Sequence, residues 1–184
     1  MSTAYYGLDR HRLLAAARDP HDIATLAFCG VLARFPILKL EATEFMRLLG
    51  RFFPSASPVV ADPQVLSASS VACAAIARGE FDDLLALLRQ HRRDDSEETG
   101  WLAHTIASAC AGENHLWEDM GMPNRNALSQ LLKTYFPTLY FKNTGNLRWK
   151  KFFYKLLCDQ AQARLCKAPS CGVCCDYAQC FGPE

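Results

Sequence analysis

The stretch Leu40-Glu-Ala-Thr-Glu-Phe45-Met-Arg-Leu48-Leu49-Gly-Arg-Phe52-Phe53 decides the fold class. Phe45, Leu48, Leu49 and Phe52 recur at i, i+3, i+4 and i+7, which lines one face of an α-helix and no face of a strand. The same period runs outward in both directions. Leu13, Leu14 and Ala17 sit at helical spacing in a predicted helix over 8–18, stopped near Asp19-Pro20. A second helix is expected over 22–34, ended by Phe35-Pro36, because the residue before proline disfavours the helical conformation. Downstream, Pro54 to Pro63 is linker-like. Asp62 and Pro63 then make an N-cap and first-turn pair for a helix ending near Gly79.

The second half continues in the same way. A helix is expected over 81–92, and Asp95 with Glu98 forms a capping-box pattern for one running to about Ala111, with Gly112 as its stop. Asn124 caps a helix to Phe136, closed by Pro137, and Asn146 opens the last, to about Arg164. No segment sustains the alternation of a half-buried strand. The expected fold is all-α: a helical domain over 1–164 and an irregular cysteine-rich, metal-binding tail over 165–184 packed on it.

Charge and compartment narrow the function. The net charge of +1 gives no general attraction to nucleic acid or anionic lipid. Residues 94–98 are acidic, whereas 142–167 hold seven bases against one acid, Asp159, a local net of +6 suited to an anion or an acidic partner. The N-terminus lacks a basic stretch followed by an apolar one, so no secretory signal is expected. The most apolar run, 23–35, is too short to span a bilayer. A cytoplasmic protein is expected, with neither nucleic acid nor membrane as partner. Nothing resembles a hydrolase triad, a phosphate loop or a carboxylate pair, so a turnover enzyme is not expected.

Nine cysteines in a reducing compartment argue for metal rather than disulfides. Five of them fall in fifteen residues: Cys166-Lys-Ala-Pro-Ser-Cys171-Gly-Val-Cys174-Cys175-Asp-Tyr-Ala-Gln-Cys180. Cys166, Cys171, Cys174 and Cys180 give C-x4-C-x2-C-x5-C. Pro169 and Gly172 oppose a helix that would splay the thiols, and short, uneven spacing of this kind holds iron–sulfur clusters in loops. Zinc is the rival, although structural zinc sites usually separate two ligand pairs more widely and the tail has no histidine. An inert tail is the bland alternative. Cys175 is extra, either a spare thiol or a transfer group. Cys158, Cys110 and His115 are further candidate ligands: Cys158 shares a helical face with Lys151 and Lys155, whose charge favours a thiolate. Against that, Cys110 fits a core position near Leu102 and Ile106, and His115 fits a capping or packing role. Cys29 and Cys73 fit the core, and His11, His21, His91 and His104 show no ligand spacing. The run Arg148-Trp-Lys-Lys-Phe-Phe-Tyr-Lys155 fits either an anion or partner site, or a buried aromatic face with a solvated lysine face.

Three segments resemble the NifQ family of nitrogen-fixation proteins. They are Ala109-Cys110-Ala-Gly-Glu-Asn114-His115-Leu116-Trp117-Glu-Asp119-Met-Gly121; Asn143-Thr144-Gly-Asn-Leu-Arg148-Trp149-Lys150-Lys151-Phe152-Phe153-Tyr154, leading to Leu157-Cys158; and Leu165-Cys166 through Cys180-Phe181-Gly182. The resemblance covers roughly the C-terminal half, and Cys175 departs from its pattern. It implies an iron–sulfur protein that processes molybdenum and donates it for biosynthesis of the nitrogenase iron–molybdenum cofactor. Its recipients would be the NifEN scaffold and the NifH iron protein, and its cargo molybdate or a molybdenum–sulfur species. A ferredoxin-like electron carrier and a zinc-stabilised interaction module are the alternatives that the tail alone leaves open.

Overall fold

The computed structural model describes residues 9–34, 37, 39–56 and 80–160. The cysteine tail over 165–184, Cys73 and the helix expected between Asp62 and Gly79 lie outside the described residues. Those described form α1 (Arg10–Ala16), α2 (Ile23–Leu32), α3 (Ala42–Phe52), α4 (Glu80–Gln90), α5 (Glu97–Cys110), α6 (Leu116–Asp119), α7 (Arg125–Tyr135), α8 (Pro137–Lys142) and α9 (Trp149–Gln160). No strand occurs among them. The all-α expectation holds there.

The helix starts follow local chemistry. Asp9, Asp22 and Asn124 each place a side-chain oxygen on a backbone N–H of the first turn of α1, α2 and α7. Glu41 and Glu44 cap α3 reciprocally. All four residues of the α3 stripe are buried.

α5 is the hub. Every residue from Trp101 to Cys110 is buried, and α5 packs against α2, α4 and α6. A helix buried on all sides must satisfy its polar groups internally. Thr105 and Ser108 do so by donating to the carbonyls of Trp101 (2.8 Å) and His104 (2.7 Å) one turn back. His104 Nε2 accepts from Arg89 at 3.0 Å, which fixes a tautomer protonated on Nδ1. Among the described residues the buried Trp101 indole N–H has no hydrogen-bond partner.

Four expectations are corrected. The cap of α5 is Ser96, whose hydroxyl accepts from Thr99 N, and not Asp95. Asp94 accepts from Ser96 and Thr99 instead, and Glu98 is drawn away from capping to Arg51 and to the Tyr135 hydroxyl. Pro137 does not simply close α7: its fixed backbone angle and missing N–H suit the first position of a new helix, and it opens α8. Asn146 does not open the last helix. It takes a left-handed conformation (φ 48°), and α9 begins at Trp149. The turn between Cys110 and Gly121 contains a short helix, α6, that was not expected.

Two glycines bring α2 against the end of α6. A β-carbon on Gly30 would lie 2.1 Å from the Met120 carbonyl oxygen, and one on Gly121, at φ +61°, would lie 2.8 Å from Gly30 Cα. Gly30→Ala therefore forces backbone apart and should cost about 2–3 kcal/mol. Gly50, inside α3 with open space around it, is the control: Gly50→Ala should stabilise by about 0.5–1 kcal/mol. Urea unfolding of both variants checks the contrast, and equal effects would overturn it.

Candidate functional site

The first two segments carrying the family resemblance are joined by one buried ion pair. Lys150, in the first turn of α9, reaches the α5–α6 turn and donates to Gly112 O (2.7 Å) and to Asp119 Oδ2 (2.5 Å). Asp119 is almost fully buried, with a side-chain exposure of 1%, against 18% for Lys150. Asn114 completes the carboxylate's shell, donating its backbone N–H to Oδ2 at 3.1 Å and its amide to Oδ1 at 3.0 Å. Gly112 is required here for space: a β-carbon would meet the Asp119 carboxyl carbon at 2.4 Å. It is a steric requirement of the buried carboxylate.

Cys110 lies under this pair. It is buried, and loss of solvation pushes its thiol up to about 12, a rise that the Lys150 charge opposes and Asp119 adds to. At neutral pH it is a protonated, poorly accessible thiol. His115 is exposed and is the N-cap of α6: its side chain accepts the backbone N–H of Glu118, while the Glu118 carboxylate accepts His115 N–H at 3.0 Å. The ring nitrogen used for capping is not available to a metal at the same time. Cys158, on α9, is half-buried. Among the described residues no three His, Cys, Asp or Glu side chains converge as a metal site.

The basic aromatic run divides between its two readings. Trp149, Phe152, Phe153 and Tyr154 are buried, with Trp149 5.9–6.0 Å from the two phenylalanine rings and 6.2 Å from Tyr140. Lys150 is committed to Asp119, and Lys155 is exposed. The loop before α9 is built by Asn143, which exchanges two 2.9 Å hydrogen bonds with the backbone of Leu147. Arg125 donates to the carbonyls of Asn146 (2.6 Å) and Leu147 (3.1 Å). Sequence reasoning placed Gly112 as the stop of α5, as observed, but missed its close approach to Asp119 and the roles of Asp119 and Lys150. An aspartate in a short turn reads as solvated, and only its pairing across the fold shows otherwise.

Among the described residues the fold is all-α, and the cysteine segment follows α9 in sequence. The NifQ family model matches residues 22–182, so the chain belongs to the NifQ family. A NifQ protein of Azotobacter vinelandii is 46% identical over 107 residues, 58% of this chain and 55% of that protein. One from Rhodobacter capsulatus is 44% identical over 87 residues (47% and 48%), and one from Klebsiella pneumoniae 40% over 86 (46% and 52%). The chain thus spans about half the length of the curated relatives it matches. No solved structure matches it. The family name carries a role in nitrogen fixation. No described helix is long and apolar enough to cross a membrane.

Breaking the buried pair from one side leaves a charge without compensation, so Lys150→Met should lower stability by about 3–5 kcal/mol in urea unfolding. The double variant Lys150→Met/Asp119→Leu should recover part of that loss; strict additivity would show that the pair is not coupled. Alkylation of the native chain at pH 8 should modify Cys158 and spare Cys29 and Cys110, all three reacting once urea is added. Mass spectrometry of the labelled peptides distinguishes these outcomes.

Proposed function

We propose that this protein carries an iron–sulfur cluster on Cys166, Cys171, Cys174 and Cys180, processes molybdenum there, and donates it for assembly of the nitrogenase iron–molybdenum cofactor. The observation that carries the proposal is the C-x4-C-x2-C-x5-C set in a chain that belongs to the NifQ family. The chemistry of the donor set fits. Four thiolates are the usual complement of a cubane or rhombic cluster. Soft sulfur ligands also suit molybdenum in a low oxidation state, which is the cargo and not a fixed cofactor.

The described residues fit a carrier. Lys150 fixes the first turn of α9 to the α5–α6 turn, and the cysteine segment comes after α9 in sequence with only a few residues between. A ligand segment at the end of an anchored helix can be presented to a recipient protein, which a transfer function needs. The recipients in this proposal are the NifEN scaffold and the NifH iron protein. The protein acts in the cytoplasm as a donor and not as a turnover enzyme. Cys110, buried and protonated, and His115, engaged in capping, are given no ligand role; Cys158 remains a transfer candidate because it is half-buried on α9.

Anaerobically purified protein should contain iron and acid-labile sulfide and should take up molybdenum. Each single replacement of Cys166, Cys171, Cys174 or Cys180 by Ala should lose most of the iron, while circular dichroism stays near wild type and Cys175→Ala keeps the cluster. Zinc alone, or iron and sulfide with no molybdenum uptake, would replace this reading with an interaction module or an electron carrier.

A further inference from the structure

A second site lies on the helical body. Arg10, the first residue of α1, and Arg34, just past the end of α2, line one cleft of about 420 Å³ with Asn114, Trp117 and Glu118. Arg10 donates from a terminal guanidinium nitrogen to Gly121 O at 3.1 Å, and Arg34 donates to Glu118 O. Both guanidinium groups are thereby oriented by carbonyls at the C-terminal end of α6, where a cation is favoured. Capping accounts for one donor on each, and Arg10 also hydrogen-bonds the Cys29 thiol. A guanidinium has five, in a planar fork whose geometry matches an oxyanion. Among the described residues neither arginine forms an ion pair with a carboxylate.

Two cations on one cleft repel each other, and the acid in the lining only partly offsets them. That acid, Glu118, has a carboxylate oxygen accepting His115 N–H. The lining therefore keeps a positive surplus and unused N–H donors on two side chains from separate parts of the chain. We propose that this cleft binds a tetrahedral oxyanion, held by Arg10 and Arg34. None of the lining residues named belongs to the cysteine segment.

The test is calorimetric titration of the full chain with molybdate, sulfate and phosphate in turn, followed in parallel by Trp117 fluorescence with Trp117→Phe as control. Saturable binding of at least one of the three is expected, and the preferred anion identifies the source. Arg10→Gln and Arg34→Gln should each weaken it by about tenfold, the scale of one charge-assisted hydrogen bond. Glu118→Gln should tighten it, since the amide can still cap α6 while the negative charge is gone. Added sodium chloride should weaken binding. A full chain with the four tail cysteines replaced by Ala should bind as the parent does, which separates this site from the cluster proposal. Should Arg34→Gln unfold by circular dichroism, Arg10→Gln and Glu118→Gln decide. No binding of any of the three anions, or binding indifferent to Arg10 and Glu118, overturns the proposal.

Discussion

The burial of α5 on all sides is the constraint that the rest of this structure obeys. Once every residue from Trp101 to Cys110 is removed from water, neighbouring helices must fit around it. Small side chains at Ala103, Ala107, Ser108 and Ala109 let them approach. The same burial forces Thr105 and Ser108 onto the helix's own carbonyls, because no solvent is available to them. It also governs the exit from α5: the chain must turn at Gly112 with no room for a side chain, since the Asp119 carboxylate occupies that space.

Much of this was legible in the sequence. Amphipathic stripes such as Phe45/Leu48/Leu49/Phe52 announce a helix and its buried face together, because one repeat encodes both. Asn124 acts within a few residues of its partner, so local order is enough to place it. Glu98 could not be read in that way. Its pattern with Asp95 fits a cap, yet Arg51 and Tyr135, remote in sequence, compete for the same carboxylate. Asn146 and Pro137 failed for a related reason: each residue type favours two different turn geometries, and tertiary packing chooses. In the candidate site, the Lys150–Asp119 pair was not legible. Thirty-one positions separate its members, and each alone looks like an ordinary surface charge.

That pair changes how the basic stretch of α9 is understood. A count of charges makes residues 142–167 a uniformly cationic region, but its members are differently employed. Lys150 neutralises a buried acid, Lys142 lies 3.5 Å from His91 Nε2, and Lys155 faces solvent. Burial and the Lys142 charge together hold His91 below its usual range, so this corner of the fold favours a neutral imidazole. The two arginines that line the cleft, Arg10 and Arg34, lie on α1 and just past α2, far from the basic stretch in sequence.

The turn around α6 inherits its order from distant parts of the chain. Its helix has only four residues, fewer than a turn that can stand alone in water. Arg10, Arg34 and the backbone contact with Gly30 hold it from the N-terminal helices, and Lys150 holds it from α9. Its contacts come from parts of the chain far apart in sequence, so its order depends on long-range docking. By the same dependence it is a natural place for the native protein to open first. A disturbance that loosens α1, α2 or α9 anywhere along its length is thus transmitted to one short turn, and hydrogen exchange at Asn114 to Met122 would register it before the core does.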